Sequence, residues 1–345
     1  MKRRETIQLR LFNQGLSTNR FEKAEEVVAH FGAMQAQDYS MALWAVGLRT
    51  TDPNRSVIEN QIRSGKIIRT HILRPTWHLV HQKDIRWMME LSAPNVKKAV
   101  QYVDRNEGLT DELFKKAWKI IERQCNKVNS LTKKDIMICL SRAHLSVGNL
   151  LATQIIIRAE LEMFLCNGEE KGTYTLFEKR VPVTDRIPKS EAIVKLAQLY
   201  FNSRGPATLK DFAWWSGLSM TEAKIGVAEL NNRLNSFTLD QVKYFYFDIK
   251  NKVSEKPVFS LLPCYDEYTV GYSEGRVLAL PTHIDQTKIG NGIFKPIVLS
   301  ENEIVGIWKT NKQSPFVEID MFAGNKKIPA KKIEEGIKKF NLFNK

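Results

Sequence analysis

The chain lacks most of the features that mark membrane, metal or redox proteins. None of its apolar runs reaches the ~18 residues that a membrane helix needs. The start, Met1-Lys2-Arg3-Arg4-Glu5-Thr6, is basic but has no apolar stretch after it, so no secretory leader is expected. Cysteine is scarce: Cys125, Cys139, Cys166 and Cys264 are widely scattered and none forms a C-x-x-C pair. That excludes a zinc ribbon or a thioredoxin-like site, and it fits buried thiols in a reducing cytoplasm. The histidines form neither H-x-x-x-H nor H-E-x-x-H, and His78 and His81 sit at poor ligand spacing at the end of an expected strand, so no metal is expected. Neither G-x-x-x-x-G-K-[ST] nor G-x-G-x-x-G occurs, and Gly290-Asn291-Gly292 reads as a turn among strands, so ATP and NAD have no support. There is no G-x-S-x-G and no cysteine in a histidine-paired setting, which leaves no covalent nucleophile and no cofactor.

Negative charge is also short. Lys and Arg total 52 against 38 Asp and Glu, a formal net charge of +14. The excess is dispersed and not gathered in a tail, which points to a folded basic surface. A polyanionic partner follows, nucleic acid ahead of an anionic membrane surface. The remaining composition, 43% hydrophobic and 26% charged, is that of a folded protein, and 345 residues allow two or three small domains.

Along the chain, periodicity predicts helices over residues 21–31, 39–48 and 55–64, then strands over 66–74 and 76–80 around Arg74-Pro75. A short helix over 84–91 is expected to stop before Pro94. The second stretch predicts helices over 110–125, 136–141 and 149–164, the middle one opened by Thr132-Lys133-Lys134-Asp135, then a strand over 172–180. The same start signal returns 76 residues later as Thr208-Leu209-Lys210-Asp211, followed by the capping box Ser219-Met220-Thr221-Glu222 and strands around Asp240-Gln241. Helix, capped short helix, turn, longer helix and strands therefore recur twice, and less cleanly a third time at the amino end. The predicted fold class is α+β: tandem winged-helix units over 1–92, 93–184 and 185–255, then a small antiparallel β-rich carboxyl-terminal domain over 256–345. Within that last part strands are expected at 259–262, 268–272, 276–280, 293–299, 304–309 and 316–322, and a closing helix at 331–340.

Two local patterns carry chemistry. The first ribbon holds Lys66, Arg69, His71, Arg74 and His78 beside Trp77. Strand alternation puts Ile67, Arg69, His71 and Leu73 on one face, and a cationic ribbon of that kind suits a DNA groove or backbone. Trp77 by itself reads as a core residue. The second pattern is Gln35-Ala36-Gln37-Asp38, expected at a turn between two helices. Two amides at i and i+2 can converge on one small polar target, and a buried one needs hydrogen-bond partners. Asp38 reads as the N-cap of the helix that follows, with a role as general base as the alternative.

Gly32-Ala33-Met34-Gln35-Ala36-Gln37-Asp38 with Ala42-Leu43-Trp44-Ala45 resembles the AlkZ-type bacterial DNA glycosylases of the winged-helix family. So do Arg69-Thr70-His71-Ile72-Leu73-Arg74-Pro75-Thr76-Trp77-His78-Leu79-Val80, Leu261-Leu262-Pro263-Cys264-Tyr265-Asp266-Glu267-Tyr268-Thr269-Val270-Gly271-Tyr272 and Gly290-Asn291-Gly292-Ile293-Phe294. The order and spacing of four separated motifs over nearly the whole chain make the resemblance specific. It implies tandem winged helices with a β-rich end. It implies monofunctional hydrolysis of the N-glycosidic bond of alkylated purines in double-stranded DNA, some interstrand crosslinks included. By the same resemblance the catalytic glutamine–apolar–glutamine motif is Gln35 and Gln37, and the protein is a monomer in the bacterial cytoplasm, on the nucleoid. A winged-helix DNA-binding protein or transcription regulator without catalysis is the alternative, and an RNA- or ribosome-binding protein a third.

Overall fold

α1 (Arg3–Asn13) leads into α2 (Ala24–Phe31), where Ala24, Val27, Val28 and Phe31 recur on one face and are all buried. This is a computed structural model, and it describes residues 1–18, 21–106, 108–230, 232–248, 258–311, 314–324 and 327–345. Gly32 closes α2 at φ 73°, a conformation that costs glycine little, and turns the chain into β1 (Ala33–Gln35). Gln35 thus ends a strand, where a turn was expected. α3 (Tyr39–Gly47) and α4 (Arg55–Arg63) start on side-chain caps, Asp38 accepting from the Met41 N–H at 3.0 Å and Asn54 from the Val57 N–H at 3.2 Å. β2 (Ile67–His71) and β3 (Trp77–His81) follow, and the three strands form an antiparallel sheet in the order β1-β3-β2.

α5 (Ile85–Asn106) runs straight through Pro94. Proline removes a backbone donor and normally breaks a helix. Here Leu91, Ser92, Ala93 and Val96 are buried on both sides of it, and their packing keeps the helix continuous. The short helix expected before Pro94 is therefore wrong, and the boundary drawn at 92/93 falls inside an element.

The second stretch is α6 (Asp111–Cys125), β4 (Leu131–Thr132), α7 (Lys133–Arg142), α8 (Asn149–Leu161), β5 (Leu165–Asn167) and β6 (Thr173–Leu176), with sheet order β4-β6-β5. Phe114, Ala117, Ile121 and Cys125 form the buried stripe of α6, and the Thr132–Asp135 box caps α7. α8 stops three residues before the expected end because the chain reverses at Met163, φ 54°. The third stretch is α9 (Lys189–Arg204), α10 (Leu209–Ser216), α11 (Met220–Glu229) and the hairpin β7 (Leu234–Leu239) with β8 (Val242–Phe247). The remainder is β9 (Phe259–Leu262), α12 (Glu267–Val270), β10 (Ile297–Ser300), β11 (Glu303–Asn311), β12 (Ser314–Met321) and α13 (Ala330–Phe343), with sheet order β12-β11-β10-β9. Two expected strands are absent: 268–272 begins as α12, and 276–280 lies mostly in a 3-10 helix, Glu274–Ala279. The boundary drawn at 255/256 lies outside the described residues.

Packing does not follow the four linear segments. The β1-β3-β2 sheet is covered on both faces. Met34, Leu79 and Ile67 point into a core shared with α3 and the carboxyl-terminal sheet, where Trp44 meets Phe340 and Phe343. Ala33, Val80 and Ile68 point into a second core, built with α5, α9 and α10. Among the described residues, only the second stretch keeps a small core of its own. Gly217 ties α10 to this sheet. Its φ is 69°, and a Cβ there would meet the Leu73 carbonyl oxygen at 2.1 Å. Gly217→Ala is therefore expected to destabilise by more than ~1 kcal/mol, read as a lower denaturant midpoint.

Candidate active site

Gln35 emerges from β1 with its backbone fixed from below. Its N–H donates to Glu267 Oε1 at 2.7 Å. The other Glu267 oxygen accepts from Arg204 Nε at 2.9 Å and Nη2 at 2.5 Å. Arg204 then donates to the Phe31 carbonyl at 3.0 Å and the Ala33 carbonyl at 2.8 Å. One wholly buried ion pair thus grips three backbone groups between the end of α2 and the end of β1. Beside it Arg49 and Asp266 form a second pair, both fully buried and bidentate at 2.9 Å. Tyr265, with φ 58°, turns the chain so that Asp266 and Glu267 both face inward. None of these four residues was singled out for the site from sequence. Asp266 and Glu267 stand in a stretch that carries the family resemblance, whereas Arg204 gives only the weak signal of a cation following Leu196, Tyr200 and Phe201 on an apolar helix.

From above, Ala36 is held by its other two backbone groups. Its N–H donates to the Trp77 carbonyl at 2.7 Å, and its carbonyl accepts from Arg69 Nε at 3.1 Å and Nη2 at 2.9 Å. The Arg69 guanidinium lies 4.1 Å from the Trp77 ring centroid. Gln35 is 9% exposed, and its Oε1 is closed off with no hydrogen-bond partner in the protein. Gln37, two residues on, is exposed. The two amides sit at the rim of the structure, one mostly inside and one outside, on a backbone that cannot shift without breaking these bonds. Asp38 is engaged as the cap of α3.

The basic ribbon is not the exposed face that alternation suggested. His71 and His78 are buried, because both faces of their sheet are covered. His71 Nδ1 pairs with Glu160 Oε2 at 2.6 Å. His78 Nδ1 meets the Thr76 carbonyl at 2.9 Å, and burial together with the nearby Arg74 charge holds its pKa well below the usual imidazole range. Arg69 serves the backbone of Ala36. Arg74 lies 5.3 Å from the ring of Trp214, which is 45% exposed, and burial lowers its pKa to about 10, still charged at neutral pH. Lys66 alone of the five is exposed, in a surface pair with Glu25 at 3.1 Å. The structure therefore brings Arg69 to the backbone of Ala36, sets His78 opposite Gln35 across the sheet and leaves Lys66 at the surface.

His78 also has a consequence for stability. Its folded pKa is depressed, so stability is unaffected above the unfolded value of about 6.5 and is lost as pH falls below it. His78→Gln is expected to flatten the acid side of a stability–pH curve, measured by denaturant titrations at several pH values, by up to ~1.4 kcal/mol per pH unit.

The profile of the family described as "DNA glycosylase AlkZ-like" matches residues 28–322. The chain belongs to that family. It is a DNA glycosylase, an enzyme of DNA repair. Among relatives of this AlkZ-like chain, the interstrand DNA cross-link repair glycosylase of Streptomyces sahachiroi is 22% identical, with 96% of this chain and 94% of that protein covered. Among solved structures, the DNA glycosylase AlkZ of Streptomyces sahachiroi superposes with a TM-score of 0.79 at 20% identity, covering 97% of this chain and 95% of that one. The latter likeness speaks for the fold: small antiparallel sheets among helices, in the same arrangement. Among the described residues no helix is long and apolar enough to cross a membrane.

Proposed function

We propose that this AlkZ-like glycosylase hydrolyses the N-glycosidic bond of N7-alkylated purines in duplex DNA, N7-linked interstrand crosslinks included, with Gln35 and Gln37 as the catalytic pair. The observation that carries the reading is the anchoring of Gln35-Ala36-Gln37 at its backbone, with one amide mostly buried and the other open. An N7-alkylated purine already bears positive charge. When the bond from C1′ to N9 breaks, N9 keeps the electron pair and the base leaves neutral. Water adds to C1′ and gives up a proton to solvent, and the products are an abasic site and the free alkylpurine. Such a leaving group needs no strong general acid. A neutral amide carbonyl can orient the water and lie against the developing oxocarbenium charge, and a fixed backbone makes that orientation permanent.

The three helix-and-small-sheet units support a tandem winged-helix reading, with the protein working as a monomer without metal or cofactor. The cations that meet DNA are the exposed ones, Lys66 and Lys171. Lys171 Nζ lies 5.0 Å from the ring centroid of Tyr39, two residues beyond Gln37. Lys171→Ala is expected to weaken damaged and undamaged duplex alike and to lower the salt slope of binding by about 0.9. An unchanged slope moves the DNA path elsewhere. The central test is incubation with duplexes carrying N7-methylguanine or an N7-linked crosslink, scored for abasic sites and unhooked strands. Release above background is expected from at least one. Release from neither overturns the proposed substrate class and moves the glycosylase to a different damaged base.

A further inference from the structure

In the β1-β3-β2 sheet Gln35 stands opposite His78, and His78 stands opposite Thr70. Directly opposed residues of antiparallel strands share a face. The three polar side chains therefore form one row across the sheet, and the parallel row two residues away is wholly apolar: Ala33, Val80 and Ile68. The polar row is closed in, with exposures of 9%, 0% and 1%. Each member ends in an atom with no hydrogen-bond partner in the protein: Gln35 Oε1, His78 Nε2 and Thr70 Oγ1. Unmatched buried polar atoms are costly and rare, and three in one row at a reacting centre call for an account.

The histidine supplies it. Its Nδ1 faces the Thr76 carbonyl, which can only accept, so Nδ1 carries the proton and Nε2 presents a lone pair. Burial and the Arg74 and Arg204 charges around the ring oppose a second proton. An acceptor at Nε2 can take an N–H, and the side chain directly opposite the histidine across the sheet is Gln35. The two ends of a glutamine amide differ little in shape, and a half-turn about the last bond exchanges them without moving anything else. With the NH2 group inward, the Gln35 amide would offer Nε2 the donor it lacks, and its carbonyl would turn outward, toward the exposed Gln37.

We propose that His78 is a positioning residue, whose Nε2 accepts a hydrogen bond from the Gln35 side-chain N–H and so directs the Gln35 carbonyl oxygen at the water and sugar. This rests on the role given to Gln35 above. Thr70, able to donate and accept, completes the row. His78 acts through Gln35, so its loss has no effect once Gln35 is gone.

The test is a double-mutant cycle on the full chain, read as single-turnover release of N7-methylguanine from duplex DNA. His78→Leu is expected to slow release about tenfold to a hundredfold, with the Kd for undamaged duplex unchanged. His78→Gln, which keeps an acceptor, restores most of the rate. His78→Leu combined with Gln35→Ala is no slower than Gln35→Ala alone. If the two losses multiply, or if His78→Leu is as fast as the wild type, the positioning role is overturned while the site stands. If Gln35→Ala alone leaves release intact, the site assignment itself falls. Where His78→Leu does not fold, the wild-type chain decides by nitrogen-15 NMR of its glutamine side chains. The Gln35 signal, identified by its loss in Gln35→Ala, is expected to show one slowly exchanging N–H coupled to His78 Nε2. A freely exchanging pair overturns the proposal.

Discussion

Arg204→Ala is expected to cost ~3–5 kcal/mol of folding stability, a large share of the roughly 5–15 kcal/mol that holds a typical protein together. The guanidinium and its partner Glu267 are 0% and 1% exposed. Removing the arginine strands a carboxylate in the interior and leaves the Phe31 and Ala33 carbonyls without their donor. The penalty is that of an uncompensated buried charge, which exceeds the net worth of the pair. Denaturant unfolding reads it directly as a fall in midpoint. Replacing both partners by apolar residues, Arg204→Met with Glu267→Leu, removes both charges together and is expected to recover part of the stability. It does not recover activity, since the Gln35 N–H loses its acceptor. A change within ~0.5 kcal/mol for Arg204→Ala, the size of an ordinary surface substitution, would show that the pair does not hold β1.

Gln35→Ala and Gln37→Ala are each expected to slow base release by about 10-fold to 10³-fold, against the ~10²–10³ lost when one oxyanion-site donor is removed. The cationic leaving group puts the effect toward the lower part of that range. Gln37 is exposed, so its replacement leaves stability within ~0.5 kcal/mol, and a rate loss there reports chemistry alone. Gln35 is mostly buried, and its variant needs the unfolding midpoint beside the rate. Asp38→Asn is the control. Asparagine caps a helix as well as aspartate, so α3 stays intact and the rate is expected to stay with it. A collapse in rate with an intact fold would make Asp38 the general base and the glutamines its supports. Unchanged release in both glutamine variants would place the reacting centre elsewhere.

Local features were legible in the sequence where local forces decide them. The capping boxes at Thr132, Thr208 and Ser219, the stripe of α6 and the turn at Asp240-Gln241 all lie where composition put them. Such features depend on neighbours within a few residues. Pro94 was misread because a local rule against helix met buried contacts on both sides that outweigh it. The stretch after Asp266 was misread for a related reason: β-branched and aromatic residues signal burial as much as strand, and Tyr268, Thr269 and Val270 are buried in a helical turn.

The sequence by itself determined the partner's sign of charge, the family, the small helix-and-sheet units and the place of Gln35 and Gln37 in the chain. It could not determine what surrounds them. Alternation along 67–73 correctly put Arg69 and His71 on one face but carried no sign that the opposite sheet face was also covered, since much of that second layer comes from α9 and α10, more than a hundred positions away. Only the tertiary structure made the ribbon a central sheet, engaged Arg69 with the backbone of Ala36, buried His71 and His78, and joined Glu267 and Arg204 beneath β1. The physical reason is range: hydrogen bonds between neighbours are written in adjacent letters, whereas a buried charge is tolerated only where a distant partner arrives to meet it.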